Sequence, residues 1–172
     1  MIPQAVMQWR DLVGYTVDGG LSHALVLAVI WQESSGYQWC WNPEPRYRWF
    51  WDVRKGKPFR KLSAQEIQSE VPPIDFPCLG GDRDQEWWAQ QASWGLMQIM
   101  GAVGREYGVK EPFLLVLLEP EINIRIGARY LARLIAREGT MEAALLRWNG
   151  GGNPRYPEEV EAKLLEIEKI LE

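Results

Sequence analysis

The feature that most constrains the fold is an unbroken apolar run over residues 24–31, followed by Gln32 and Glu33. Ser22 stands before the run, and serine is a preferred N-cap residue. Gly36 stands after it, where a glycine tolerates the left-handed backbone that ends many helices. The pattern therefore predicts a helix from about residue 22 to residue 35 whose apolar face packs against the core.

Glu33 is placed on the apolar face of this helix. It follows Val26, Val29 and Ile30 at the i, i+3, i+4 and i+7 spacing that puts side chains on one helix face. Burial disfavours the charged carboxylate, and so does the negative end of the helix dipole, so both are expected to raise its pKa. A carboxyl group that keeps its proton near neutral pH is suited to general acid catalysis. The alternative is that Glu33 leaves the edge of the core for solvent.

Helical patterns also dominate the rest of the chain, so the fold is expected to be mainly α. A length of 172 residues suits one compact domain, residues 1–172. Further helices are predicted over residues 4–14, 63–70, 83–92, 99–107, 112–118, 119–139, 141–148 and 157–171. No strong alternating strand pattern appears outside residues 37–82.

The region over residues 37–90 differs from this helical background, because it is largely irregular and rich in tryptophan. The chain has ten tryptophans, and many lie here or close by: Trp39, Trp41, Trp49, Trp51, Trp87, Trp88 and Trp94. They fill the core, or they form cleft walls that stack on sugar rings. Cys40 and Cys78 bracket the stretch and are candidates for a disulfide, which would contribute about 3–4 kcal/mol through chain entropy.

Composition excludes several functions. A net charge of −4 argues against a nucleic-acid partner. The chain contains no run of eighteen apolar residues, so no membrane span is expected. With one histidine and two cysteines, the chain is too poor in ligands for a zinc site, and no metal or other cofactor is expected. The N-terminus lacks a signal-peptide pattern, so action outside the cytoplasm would need another export route.

Two later segments carry residues suited to binding a ligand. In the segment 93–100, Gly95 would let the backbone approach a ligand, Gln98 would donate to and accept from it, and Leu96, Met97 and Met100 would form an apolar wall. In the segment 147–154, glycines follow Asn149 and would expose amide groups to a substrate. The alternatives are an ordinary helix start for the first segment and a helix C-cap for the second.

Taken in order, these motifs resemble the catalytic domain of lytic transglycosylases of the soluble (SLT) type, which is related to goose-type lysozyme. The matching motifs are Glu33-Ser34, the six residues from Gly95 to Met100, Asn123-Ile124, Gly127, Tyr130-Leu131, and the segment from Ala144 to Gly150. The resemblance implies a lysozyme-like helical domain, with Glu33 as the catalytic residue. It implies Ser34, Gly95, Leu96, Met97, Gln98, Met100, Trp148 and Asn149 as substrate-binding residues, and we add Tyr156 because it lies nearby in the sequence.

The sequence departs from the family pattern in two ways. About sixty residues separate Glu33 from Gly95, many more than is usual, which indicates an insertion over one edge of the cleft. The family pattern has a tyrosine before Asn149, whereas this chain has Trp148. The indole N–H of Trp148 can donate a hydrogen bond but cannot accept one. Tyr156 is close enough in sequence to substitute for it.

The chemistry implied by the resemblance is cleavage of the β-1,4 bond between N-acetylmuramic acid (MurNAc) and N-acetylglucosamine (GlcNAc) in peptidoglycan. Glu33 would act first as acid and then as base, and the product would carry a 1,6-anhydro ring. One alternative is a muramidase that uses an insertion aspartate, Asp52, Asp75, Asp82 or Asp84, to activate water. Another is an inactive peptidoglycan-binding module. The expected protein is a monomer that reaches the cell wall by phage lysis, virion delivery or another non-classical route.

Overall fold

The computed structural model describes residues 2–17 and 20–171 and is mainly helical. Its helices are α1 Gln4–Met7, α2 Arg10–Thr16, α3 His23–Ser34, α4 Ala64–Gln68, α5 Arg83–Gln90, α6 Gly101–Glu106, α7 Pro120–Glu138, α8 Met141–Trp148 and α9 Tyr156–Leu171, with a 3₁₀ helix at Leu114–Leu118. The single helix predicted over 4–14 is thus two short helices. No helix in the described ranges is long and apolar enough to cross a membrane.

Helix α3 forms the centre of the fold. Every residue from Ala24 to Ile30 is buried, so this helix is covered on all sides and not only along one stripe. The hydroxyl of Ser22 accepts a hydrogen bond from the backbone N–H of Leu25, which confirms the predicted N-cap. Helices α1, α2 and α9 pack around α3. The main core, as we call this apolar interior, therefore holds the helix that carries Glu33.

The end of α3 needs two residues with positive φ, not one. Ser35 has φ of 52° and Gly36 has φ of 86°. The left-handed conformation stops the helix and turns the chain back over α1. Trp9 supports this reversal, because its indole N–H donates to the carbonyl of Gly36 at 2.8 Å.

The segment that follows Gly95 is a β-hairpin turn, and the helix predicted over 99–107 begins after it, as α6 at Gly101. Strands β1 (Trp41–Pro43), β4 (Ala92–Trp94) and β5 (Ile99–Met100) form an antiparallel sheet in the order β1-β4-β5. The turn needs positive φ at both Gly95 (71°) and Gln98 (46°), which a helix does not allow. Strands of two or three residues are too short to show alternation, so the expectation of no strand outside 37–82 also fails.

The C-terminal helices agree with the prediction. Pro120 begins α7, and Gly139, with φ of 80°, ends it. The Thr140 hydroxyl accepts from the N–H of Ala143 and caps α8. The helix predicted over 157–171 is α9, and its Val160, Leu164 and Ile167 are buried. Strong local capping signals explain why these elements were predictable.

The insertion has a core of its own, so it is more ordered than predicted. This second core consists of Phe50, Leu62, Phe76 and Trp87, with Phe59 packed against it. The rings of Phe50 and Trp87 stack with centroids 4.2 Å apart. Strands β2 (Trp51–Asp52) and β3 (Lys57–Pro58) pair beside it, and the predicted capping box at Ser63 opens α4.

Candidate active site

The fold brings Glu33 together with two residues from the other end of the chain. Glu33 lies in the last turn of α3 and is half-buried. The indole N–H of Trp148, at the end of α8, donates to its Oε1 atom at 3.0 Å. The hydroxyl of Tyr156, at the start of α9, donates to the same oxygen. The structure therefore unites these three predicted site residues.

The surroundings of Glu33 favour its protonated form. Burial raises its pKa above the ordinary value of 4.5, and the hydrogen bonds from Tyr156 and Trp148 oppose this rise without cancelling it. Both bonds end on Oε1, which acts as the acceptor, so the proton is best carried by Oε2. Burial and the neighbouring carboxyl also raise the pKa of Tyr156, which therefore stays a donor. The site thus fixes a carboxyl group whose surroundings favour its protonated form.

An aromatic row continues from this acid along the surface of α7. The Trp148 ring lies 5.2 Å from the ring of Tyr130, which lies 5.7 Å from the ring of Tyr107. Burial raises the pKa of Tyr47, and the nearby Tyr130 adds to that rise. Tyr47 belongs to the insertion, so this part of the insertion lies near Tyr130.

The hairpin turn after β4 is fixed against the end of α3. Ser34 donates from its hydroxyl to the carbonyl of Leu96 at 2.8 Å. The backbone N–H of Gly95 donates to the carbonyl of Cys40 at 2.8 Å. The buried side chain of Asn123 accepts from the N–H of Met97 and donates to the carbonyl of Trp94, both at 2.8 Å. The motif around Gly95 thus forms a rigid support beside the acid.

Three residues expected to touch substrate serve the interior instead. Leu96 and Met97 are fully buried and belong to the main core. Ser34 is also buried, and its hydroxyl bonds to backbone on both sides of the α3–turn junction. They point inward because the turn is enclosed between α3 and α7. Of the predicted apolar wall, Met100 is half-buried and stays accessible at its edge.

Gly95 and Gln98 also have structural roles that the sequence did not reveal. A Cβ atom on Gly95 would lie 2.5 Å from Asn123 Nδ2 and 2.6 Å from the carbonyl oxygen of Leu117. The glycine is therefore required by packing inside the protein, not by the approach of a ligand. The amide nitrogen of Gln98 donates to the carbonyls of Cys40 and Gly95, at 3.2 and 2.9 Å, and its oxygen accepts from Ser93. Gln98 therefore braces the turn.

The loop that follows α8 is held by a polar network. Asn149 is the C-cap of α8, as the alternative interpretation had it, and its side chain donates to the carbonyl of Asn153 at 3.3 Å. Glu159 accepts from Asn153 and from Gln32, at 3.2 and 2.9 Å. Lys163 donates to the oxygen of Gln32 at 2.6 Å. Because Gln32 precedes the acid, this network ties the loop to its helix.

Sequence reasoning assigned no supporting role to Asn123 or Glu159. Asn123 belongs to a motif shared with the family, but only the structure shows that it is fully buried and braces the hairpin turn. Glu159 lies on a helix with several other acids, so nothing distinguished it. Both depend on partners far away in the sequence.

The predicted disulfide is not formed. Cys40 and Cys78 are free thiols. The Cys40 thiol points to the carbonyl of Ser34, and the Cys78 thiol lies 3.4 Å from the carbonyl of Gly81. The two thiols therefore have separate local partners. Among the described residues, no group of three His, Cys, Asp or Glu side chains is arranged to hold a metal ion.

The aspartates considered as a second acid have other roles. Asp52 is buried and accepts from two backbone N–H groups of the turn that follows it. Asp75 forms an ion pair with Arg60. Asp82 caps α5. Asp84 differs from the other three aspartates. It is exposed in the first turn of α5, and its side chain has none of these structural roles.

The fold and the site together define a helical domain built around one half-buried carboxyl group whose pKa is raised by burial. The family described as the transglycosylase SLT domain matches residues 15–170. The chain therefore belongs to this family, and its mainly helical structure is consistent with the lysozyme-like fold expected from the motifs. The family indicates a lytic transglycosylase-type protein that acts on peptidoglycan. A search of curated proteins and a search of solved structures found no match.

Proposed function

We propose that the protein is a peptidoglycan lytic transglycosylase that cleaves the MurNAc–GlcNAc β-1,4 bond, with Glu33 as general acid and then general base. One observation carries the proposal. The half-buried carboxyl of Glu33 has a raised pKa and is held through Oε1 by Trp148 and Tyr156. This arrangement keeps a proton available and fixes the direction in which it is delivered.

In the first step, the Oε2 proton of Glu33 passes to the oxygen that bridges the two sugars. The bond from that oxygen to C1 of MurNAc breaks, and GlcNAc leaves with the transferred proton. The N-acetyl oxygen of the substrate stabilises the positive charge at C1, so a second carboxylate is not required.

In the second step, the Glu33 carboxylate takes the proton of the MurNAc 6-hydroxyl. The freed oxygen attacks C1 and closes the 1,6-anhydro ring. The acid is restored, and no water is consumed. The hydrogen bonds from Trp148 and Tyr156 stabilise the carboxylate between the two steps, which is when its charge is unfavourable in a half-buried site.

The muramidase alternative receives less support, because it needs a carboxylate placed to activate water. Asp52, Asp75 and Asp82 are engaged in turn, ion-pair and capping contacts inside the insertion. The binding-module alternative gives no reason for an acid to be kept in a surrounding that raises its pKa.

The test is a digest of purified peptidoglycan followed by mass spectrometry of the muropeptides. The proposal expects products that are lighter than the hydrolytic ones by the mass of one water molecule and that do not react with borohydride. Reducing ends would identify a muramidase. Intact peptidoglycan, together with binding that Glu33→Gln leaves unchanged, would identify a binding module.

Delivery to the cell wall by phage lysis or as part of a virion belongs to the same proposal, as does the monomeric state. Expression in bacteria with and without a membrane-permeabilising holin tests the delivery step. Lysis only with the holin is expected. Lysis without it would point to another export route.

A further inference from the structure

Three aromatic residues are exposed on the segment that follows the helix carrying Glu33. Tyr37, Trp39 and Trp41 are 65%, 70% and 54% exposed, and we call them the aromatic rim. Indole rings are large apolar groups that a folded protein normally covers, as it does for Trp87, which is 1% exposed. The rim therefore contributes little to the core, and its exposure needs another explanation.

The rim is attached to the elements that hold the catalytic acid. Tyr37 follows α3 by three residues, and its N–H donates to the carbonyl of Ser34 at 3.1 Å. The carbonyl of Cys40, between the two tryptophans, accepts from Gly95 and from Gln98 in the hairpin turn. Six residues span at most about 22 Å, so Trp39 lies within that distance of Glu33 along the chain.

One ring of the rim, that of Trp41, is held in place before any ligand arrives. Trp41 pairs with Trp94 across strands β1 and β4, and their ring centroids are 6.0 Å apart. Trp94 is buried, and its indole N–H donates to the carbonyl of Ala89 at 3.0 Å. A surface ring supported by a fixed buried ring loses little conformational freedom when a ligand binds.

The chemistry of this surface suits the apolar faces of sugar rings. The segment 37–43 reads Tyr-Gln-Trp-Cys-Trp-Asn-Pro and contains no charged side chain. Aromatic faces pack against the apolar C–H faces of pyranose rings, and indole N–H groups donate to sugar hydroxyls. Phosphate-rich ligands would instead call for lysine or arginine.

We infer that the aromatic rim is an outer subsite that binds the glycan strand beyond the bond being cleaved. This inference rests on the proposed function, because it assigns the strand to the same substrate. The rim belongs to the insertion, so the insertion would strengthen the binding of long strands at a site that the main core builds. This added binding would keep the enzyme on one strand between cleavages.

Binding is measured in a Glu33→Gln background, so that the ligand stays intact. The probe is glycan strands freed of peptides by amidase digestion, with chitohexaose as a second, defined ligand. Trp39→Ala and the double variant Trp39→Ala/Trp41→Ala are expected to weaken binding about tenfold or more, as expected for truncation of an aromatic anchor. Trp49→Ala removes an indole that is 79% exposed elsewhere in the insertion, and it serves as the matched control.

Three results would overturn the inference. Unchanged binding in both rim variants is the first, and an equal loss in Trp49→Ala is the second. The third is a concentration-dependent dimer that Trp39→Ala abolishes, which would assign the surface to a second copy of the chain. The melting temperature of each variant confirms its fold, and Tyr37→Ala gives a further test if the double variant is unstable.

The proposed function is judged separately, by cleavage with the unmodified protein. Cleavage to anhydro products with rim-independent binding would remove the subsite and keep the function. Rim-dependent binding without cleavage would keep the subsite and remove the function.

Discussion

The main core and the second core both bury apolar surface, but they do so with different kinds of side chain. The main core is largely aliphatic and is assembled from helices that span the whole chain. The second core depends on a few large rings contributed by a short segment with little regular structure. A short segment supplies few inward positions, so each must bury a large area, and aromatic side chains do this best. Glu33, the proposed catalytic acid, is carried by a helix of the main core, whereas the second core lies within the insertion.

One buried ion pair links the two regions. Arg105 on α6 and Glu86 on α5 approach to 2.7 Å, and both side chains are almost completely buried. Arg105 also donates to the carbonyls of Val109 and Glu111. Glu86 accepts from Gln90, which bonds to the backbone of strand β2. The insertion is thus fastened to the helical domain through α5.

The largest effect is expected from the acid itself. Glu33→Gln should lower peptidoglycan cleavage by about 10²–10⁴-fold, because an amide cannot supply the proton. Both cores should remain intact. Turnover with purified peptidoglycan and a melting curve check this, with Glu161→Gln on the exposed side of α9 as control. A comparable loss in the control, or activity retained by Glu33→Gln, would contradict the assignment.

Truncations in each core would test whether the regions are stable independently. Leu131→Ala in the main core should lower the free energy of unfolding by about 2–5 kcal/mol. Trp87→Ala in the second core should cost about 3–5 kcal/mol within the insertion. Hydrogen exchange checks this: Trp87→Ala should release protection over residues 46–90 and leave α7 protected. Simultaneous loss everywhere would mean that the molecule is one cooperative unit.

Breaking the link should weaken the connection between the regions. Glu86→Gln leaves the Arg105 charge buried without its partner, so a loss of about 3 kcal/mol is expected. The double variant Glu86→Leu/Arg105→Met should recover part of that loss, since no unpaired charge remains. Chemical denaturation measures both. Asp75→Asn, which removes an exposed partner of Arg60, is the control and should change stability little.

Tyr156→Phe should change the pH dependence of activity more than it changes the fold. The hydrogen bond from Tyr156 lowers the pKa of Glu33, so its loss should raise that pKa further. The acid then keeps its proton to higher pH, so the alkaline limb of the rate profile should move to higher pH. Rate profiles of kcat/KM show this. A shift toward lower pH would contradict the proposed role.

The smallest effect is on stability. Because folding raises the pKa of Glu33 above 4.5, the folded state holds this proton more tightly than the unfolded state does. Its contribution is therefore most favourable below the unfolded pKa and is lost as pH rises through the folded pKa. Glu33→Gln should consequently gain melting temperature relative to the unmodified protein as pH rises over this range. An equal difference at all pH values would argue against a raised pKa.

Local signals predicted much of the helical framework. Ser22 identified the start of α3, because capping involves residues only a few positions apart. The hairpin at 92–100 was missed, since its strands are short and its pairing partner in β1 lies about fifty residues away. The second core was missed for the same reason.

The residues of the candidate site likewise divide into those that local sequence predicted and those that packing decided. Glu33 was identified from its place on an apolar helix face, and Tyr156 from its proximity in sequence to Asn149. Leu96 and Met97 were assigned to a ligand surface and are buried instead. An apolar residue next to a glycine turn fits either role, and only the packing between α3 and α7 decides.

By itself, the sequence determined which residues cap and line the helices, which acid stands on an apolar face, and the family to which the chain belongs. The tertiary structure decided that Trp148 and Tyr156 share one oxygen of Glu33, that Gln98 braces a turn, and that some tryptophans are buried while the rim is exposed. Helix signals act between neighbours in the chain. Burial and hydrogen bonding in the site join residues more than a hundred positions apart, and only the folded chain brings them within contact.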